Sequence, residues 1–523
     1  RPDSYSAIDN FYTATVYEKG AEVVRMMHTL VGREGFAAGM KRYIERHDGQ
    51  AVTCDDFAQA IADANPGSPL AQHLAAFKRW YAQAGTPRLR ARGVHDAAAG
   101  TWTLTLRQQA APAQAGQQPF VIPVALGLLS RDGQALPLQL HGDDAPRGTE
   151  ALLVLTEAEQ SFTFTDIDAP PVPSLLRGFS APVMLDDGLS DHDLLVLLAH
   201  DHDPFNRWEA GQRLALHRLL AALKSDAPAP LDGAFVHAMR ELLRAPDLDP
   251  AFKELVLTPP SERYVAEQVE GADPQRIHAV SERLLDELAE RLHDDWLWAW
   301  EQHQLREGYD PGPRQAGHRA LANLALAMLV RHAERSGQTA WPGRAYQRVK
   351  DAGNMTDRLG ALKALVAARS DLATLALDHF HATFRHEPLA IDKWFAVQAM
   401  APEAVGEGPS RVLARTRELL QHPDFSLRNP NRARSLILNL CVGNPAAFHR
   451  PDAAGYVFWA EQLLALDALN PQLAARLARA MDRWSALAEP CRSAAREAIA
   501  RVAARPDLSP DTREIVGRAL ETA

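Results

Sequence analysis

From about residue 186 to residue 523 the sequence offers almost nothing but helix, and roughly 340 such residues narrow the folds open to the chain. Amphipathic segments of roughly 10–20 residues recur. They are punctuated by Ala227-Pro228-Ala229-Pro230, Asp249-Pro250, Pro259-Pro260, Asp310-Pro311-Gly312-Pro313, Asn429-Pro430 and Arg505-Pro506. A single amphipathic helix cannot bury its apolar stripe alone, so successive helices must pair. No fixed-period repeat stands out, yet paired helices in such number suit an α-solenoid better than a compact bundle.

Two different patterns precede this stretch. Residues 1 to about 86 also read as helical: Val16, Gly20, Val23, Met27 and Leu30 form one stripe at the 3.6 period, with Tyr17, Ala21, Val24 and His28 beside it. Gly32 is placed to end that helix, and Thr53 with Asp56 resembles a capping box opening a second one over 54–64. A third helix is expected from Leu70 to Gln83, stopped by Gly85-Thr86-Pro87. Gly20 is a poor helix residue, and its presence suggests the close approach of another backbone. Period-two alternation then takes over in Thr101 to Leu106 and Ser161 to Thr165. Phe120 to Leu129, Leu136 to Leu140 and Leu152 to Leu155 lie between them, and turn signals such as Arg131-Asp132-Gly133 separate the runs. Short strands at this spacing indicate a small β-sandwich, with a last strand over Arg177 to Leu185 after the Pro-rich run 169–173. The expected fold is mainly α with a small all-β domain, divided as 1–86 helical, 87–185 β-sandwich and 186–523 α-helical and solenoid-like.

Composition excludes several function classes. A net charge of −10 argues against general affinity for nucleic acid or anionic membranes. No apolar run approaches the ~18 residues of a membrane span. Cys54, Cys441 and Cys491 are few and widely spaced; they read as buried thiols in a reducing compartment, which makes the cytoplasm the default location. The first residue is Arg1 and the opening residues lack the apolar core of a signal peptide, which suggests a truncated chain.

The stretch Asn10-Phe11-Tyr12-Thr13-Ala14-Thr15-Val16-Tyr17-Glu18-Lys19-Gly20-Ala21 resembles the catalytic-tyrosine segment of the aminopeptidase N family of zinc peptidases. Lys78 to Pro87 is similar to that family's junction between peptidase domain and β-sandwich, and 425–449, with Lys393-Trp394-Phe395, to its helical C-terminal domain. The resemblance covers essentially the whole chain. It implies the helical tail of a thermolysin-like catalytic domain, then the sandwich, then the large helical domain. It further implies that Tyr17 stabilises the oxyanion of peptide hydrolysis, that Tyr12 lines the pocket for the substrate's first side chain, and that Arg432 and Arg434 can receive a peptide's carboxylate, a geometry suited to guanidinium. Asn431 is expected to cap the helix they begin.

The family's metal comes from His-Glu-x-x-His, whose i, i+4 spacing puts two imidazoles on one helix face. None of the 20 histidines sits in that motif; His386-Glu387 is followed by Pro388. The third ligand and the Gly-x-Met-Glu-Asn segment for the substrate's free amine are missing as well. The expectation is therefore the C-terminal part of a zinc aminopeptidase of broad preference that contributes no metal ligand and is inactive alone. Its partners would be peptide substrates and the N-terminal half of the same protein, with no nucleic acid and no membrane. The groups around His192, His200 and His202, and the pair His379 and His381, are read as polar turns and helix surface, and Trp296, Trp298 and Trp300 as packing. No serine-hydrolase elbow or phosphate loop occurs. The competing reading is a non-catalytic helical scaffold that binds a peptide or partner.

Overall fold

The computed structural model describes Asn10 and residues 14–109, 116–225, 230–404, 406 and 408–521. The chain divides into two compact units, residues 1–213 and 214–523.

In the first unit a π-helical turn, Thr15–Lys19, leads into the helix Gly20–His47. Gly32 interrupts that helix with φ 76°, so its stop signal acts as a kink before the helix resumes. Val23, Met26, Met27 and Leu30 are buried. In the neighbouring stripe Tyr17, Ala21 and His28 are exposed and Val24 is half-buried. Gly20 meets nothing closer than the Thr15 carbonyl at 3.8 Å, so the expected backbone approach is not there. It occurs at Gly39, where a Cβ would stand 2.9 Å from Ile61 Cα. The helix Cys54–Ala64 opens with the reciprocal Thr53–Asp56 capping box. Cys54 is its first residue and is exposed, which corrects the expectation of three buried thiols; Cys441 and Cys491 are buried.

The continuous helix expected over 70–83 is replaced by three one-turn pieces, Pro69–Gln72, Leu74–Phe77 and Arg79–Ala82. Tertiary anchors override helix propensity here. Leu70, Phe77 and Trp80 all enter one core, the Trp80 indole donates to the Val121 carbonyl at 2.9 Å, and Arg79 donates to the Pro119 carbonyl at 2.5 Å.

Among the described residues the sandwich has eight strands: β1 Arg88–Asp96, β2 Thr101–Gln109, β3 Ile122–Leu129, β4 Gln139–Leu140, β5 Ala151–Leu155, β6 Glu159–Thr165, β7 Val172–Leu175 and β8 Met184–Asp186. One sheet runs β4-β6-β2-β1-β8 and the other β5-β3-β7. β2 pairs antiparallel with β1 and β6, placing Trp102 opposite His95 and Phe164. Leu104, Leu106 and Phe164 from one sheet meet Val124, Leu126 and Leu153 from the other in a core shared with Met27 and Trp80. Two expectations fail locally. The Pro-rich run contains the start of β7, which pairs only with β3, and an edge strand tolerates Pro173. Arg177 to Leu185 is not one strand: Arg177–Phe179 is a 3₁₀ turn with Leu176 at φ 57° and Gly178 at φ 58°, and only Met184–Asp186 is extended. The turn folds Arg177 inward onto buried Asp201 at 2.8 Å.

The second unit is helical, with each helix packed mainly on near neighbours in chain order, as in the pairs Pro313–Ser336 with Met355–Ala367 and Ala454–Asp467 with Pro471–Ala478. That nearest-neighbour pattern is the solenoid expectation. The segment 227–229 lies outside the described residues. Trp296 is wholly buried, and Trp298 and Trp300 receive the Arg244 and Arg348 guanidiniums over their rings, which bears out packing.

Burial favours the neutral form of His303 and His449 in this unit. His303 stacks its Nδ1 2.8 Å from His318 Nδ1, and burial, with His318 and Lys253 nearby, pulls its pKa down to about 4. His449 sits against Phe448 and Tyr456, and burial likewise lowers it to about 4. Between pH 6.5 and 4 the unfolded chain binds protons that these two imidazoles refuse, so their contribution to stability is full above about 6.5 and is lost as pH drops towards 4. Melting at pH 7 and 4.5 checks this, and replacing both histidines by glutamine should flatten the dependence.

Candidate functional site

The π-turn Thr15–Lys19 is built around Tyr17, with the Gly20 amide donating back to the Thr15 carbonyl across the widened turn. Such turns cost hydrogen-bond geometry and recur at functional sites. Tyr17 is 61% exposed, although the surrounding helix contributes its apolar stripe to the core. Two cations fix the turn. Lys19 Nζ donates to the Gly85 carbonyl at 2.7 Å and Thr86 Oγ1 at 3.1 Å, over the Trp80 ring, and burial lowers its pKa. Arg25 pairs with Glu22 at 2.7 Å and donates to the Gly178 and Phe179 carbonyls. The tyrosine segment is therefore braced against its own exit at Gly85 and against the sandwich. Tyr12 lies outside the described residues.

The second predicted pair lies in the helical unit. Asn429, not Asn431, caps the turn Pro430–Ala433: its side chain accepts from the Asn431 and Arg432 amides. Pro430 decides this, because Pro belongs at the first helical position and the cap must precede it. Arg432 is 7% exposed, 2.9 Å from Asp392 Oδ1 and stacked over Phe395; its Nη1 has no hydrogen-bond partner. Arg434 opens a second π-turn, Arg434–Leu438, and is exposed, with a long contact of 3.4 Å to Asn431 Oδ1. Sequence periodicity carries no signal for either π-turn, since five residues are fewer than the window over which a helical period can be read.

Neither Tyr17 nor the arginines lie in the cavity of about 640 Å³ in the helical unit, which is lined by Trp300, Tyr309, Arg319, Arg348 and Asp357.

A zinc centre needs three or four converging His, Cys or carboxylate donors. Among the described residues of the tyrosine segment no such group forms, so the donors around Tyr17 do not fit zinc. The one converging group among the described residues is His381, His422 and Asp424, in the helical unit. The His/Asp run at 191–203 is spent on structure: Asp193 closes a capping box with Ser190, Asp201 pairs with Arg177, and Asp203 accepts from the Asn206 amide.

Comparison with known proteins divides the chain into three stretches. Residues 191–521 match a domain of unknown function with ARM repeats, DUF3458_C. This chain belongs to the DUF3458_C family. Residues 85–188 match its companion of Ig-like fold, DUF3458, and residues 1–80 match the peptidase family M1 domain. Aminopeptidase N of Escherichia coli is 38% identical over 99% of the chain, and that of Caulobacter vibrioides 39% identical over 99%. The chain spans 58% of the length of each. The likeness is to the C-terminal portion of aminopeptidase N. A crystal structure of Legionella pneumophila aminopeptidase A in complex with aspartic acid superposes with a TM-score of 0.86 at 26% identity, covering all of this chain and 58% of the other. These matches bear out the mainly α fold with a small Ig-like sandwich and a large ARM-like helical domain. Among the described residues no helix is long and apolar enough to cross a membrane.

Proposed function

We propose that this chain works as the C-terminal part of a cytoplasmic zinc-dependent aminopeptidase that releases N-terminal residues from peptides with broad preference. The whole-chain likeness to aminopeptidase N carries the reading. In it, residues 1–86 complete the catalytic domain, 87–185 form the sandwich and 186–523 the helical domain. The Tyr17 hydroxyl donates a hydrogen bond to the oxyanion that develops on the scissile carbonyl oxygen, and a neutral phenol does so without adding charge. Its exposure on a turn braced by Lys19 and Arg25 supports that role. Tyr12 lines the pocket for the substrate's first side chain. Arg434, exposed on its π-turn, is the readier of the two arginines to receive a carboxylate, while Arg432 reaches a ligand only by loosening its contact with Asp392. The zinc ligands belong to a segment outside these 523 residues, and the chain alone is inactive.

The test uses the longer, zinc-bearing protein with alanyl peptides carrying a free or an acetylated N-terminus. Cleavage of the free peptide, abolished by acetylation, is expected. Equal cleavage of both contradicts an aminopeptidase, and cleavage of neither returns the reading to a binding scaffold.

A further inference from the structure

His381 lies on the helix Ala373–Phe384, while His422 and Asp424 lie in the turn that follows Arg411–Leu419. The fold brings these stretches, 43 residues apart, into contact. One donor atom from each residue lies within 4.8 Å of the other two. His381 Nε2 is 2.6 Å and His422 Nδ1 3.8 Å from the same carboxylate oxygen, Asp424 Oδ2. Metal–ligand bonds of about 2.0–2.1 Å in a tetrahedral site put ligand atoms roughly 3.3 Å apart, within this spread, so small side-chain rotations bring the three donors into register. The Asp424 amide approaches His422 Nδ1 at 3.2 Å, a long contact that ligation through Nδ1 would exchange.

The surroundings are those of a built site. One side is an aromatic wall: the Trp394 ring stands 4.8 Å from the His381 ring and 5.1 Å from that of His422, with Phe395 beyond. Trp394 is itself fixed by its bond to the Leu377 carbonyl at 3.0 Å. The other side is open to solvent, the three side chains being 25–37% exposed. Neighbouring cations are already neutralised, Arg432 by Asp392 and Arg415 by Glu418, each at 2.9 Å. A simple His381–Asp424 ion pair accounts for the 2.6 Å contact and the Asp424 amide for the facing of His422 Nδ1, but neither requires two imidazoles to converge on one carboxylate oxygen.

We propose that His381, His422 and Asp424 form a binding site for a divalent transition metal, zinc above others, with water completing the coordination. Two imidazoles and one carboxylate are a borderline-hard donor set that suits Zn²⁺ over Ca²⁺ or Mg²⁺. The ion staples the helix Ala373–Phe384 to the turn leading to the Asn429 cap and Arg432. This assignment is independent of the aminopeptidase reading and revises the sequence-based expectation of no metal ligand in the chain.

The 523-residue chain has no His-Glu-x-x-His motif, so a bound metal cannot be assigned to a peptidase centre of that kind. Co²⁺ is titrated into the purified apo chain, followed by visible d–d absorption and displaced with Zn²⁺. One saturable equivalent is expected, with a Zn²⁺-dependent rise in Tm. His381→Ala and the near-isosteric Asp424→Asn should each weaken binding by at least about 100-fold, beyond the loss typical of outer-shell changes. His192→Ala should leave it unchanged. Absence of a saturable site, or one retained by the folded Asp424→Asn chain, overturns the proposal.

Discussion

Replacing Tyr17 by phenylalanine in the zinc-bearing protein is expected to lower kcat by about 10²–10³ and to leave KM within about twofold. Tyr17 sits on an exposed π-turn whose position is set by other residues, Lys19 to Gly85 and Thr86, and Arg25 to Gly178 and Phe179. Removing one hydroxyl from a side chain 61% exposed should leave that bracing and the melting temperature intact. What disappears is a donor to charge that exists only in the transition state, and such a loss falls on kcat. A variant with near-full activity would remove Tyr17 from the chemistry. A rise in KM at unchanged kcat would make it a binding residue instead. Lys19→Met, by contrast, should reduce activity through displacement of the turn and should lower stability as well, because it breaks two hydrogen bonds.

The largest effect on stability is expected at Asp201. Its carboxylate is fully buried, 2.8 Å from the Arg177 guanidinium and 2.5 Å from Ser174 Oγ, and Ser174 in turn accepts from Asn206 at 2.7 Å. Arg177 has one other carboxylate, the exposed Glu150 at 2.8 Å. Gly127 in β3 lies directly beneath the guanidinium, where a Cβ would overlap it. Asp201→Ala leaves the buried arginine its bond to Ser174 Oγ at 2.9 Å but only a solvent-screened carboxylate, and the expected cost is about 3–5 kcal/mol. Glu150→Gln should cost no more than about 1 kcal/mol, since its carboxylate is largely in water. The double change Arg177→Met with Asp201→Leu should recover most of the single-site loss, as buried pairs often can be replaced by apolar groups. Hydrogen exchange of β3 amides reports the first unit specifically, which matters because a chain of two units need not unfold in one transition. Unchanged exchange in Asp201→Ala would show that the network is not a keystone of the sandwich.

These residues also show how far sequence reading reaches. Helix 54–64 was legible because its cap is local: Thr53 and Asp56 sit one turn apart and satisfy each other's orphan groups. The strands with period-two alternation were legible for the same reason, their burial being written every second residue. The misplaced cap at Asn431 was a local failure, decided by Pro430, whereas the larger ones involve partners far along the chain. Arg177 turns inward because Asp201, 24 residues later, is buried beneath it. The 70–83 helix breaks because Trp80 and Arg79 reach carbonyls some 40 residues on. His381 gained a role only when the fold delivered His422 and Asp424, and no spacing rule for zinc links residues so far apart. Tyr17 is the converse case: periodicity pointed to a core position, and family resemblance alone pointed to chemistry.

The most direct measurement is turnover of an alanyl chromogenic amide by the purified 523-residue chain in excess Zn²⁺, with and without the segment bearing His-Glu-x-x-His. Zinc content alone does not decide the matter, because the His381 site is expected to hold an ion. No turnover from the chain alone, its appearance when the zinc-bearing segment is supplied, and its collapse with Tyr17→Phe are the expected results. Stoichiometric turnover by the chain alone would contradict the account, for it would mean that these 523 residues carry a complete hydrolytic centre of their own.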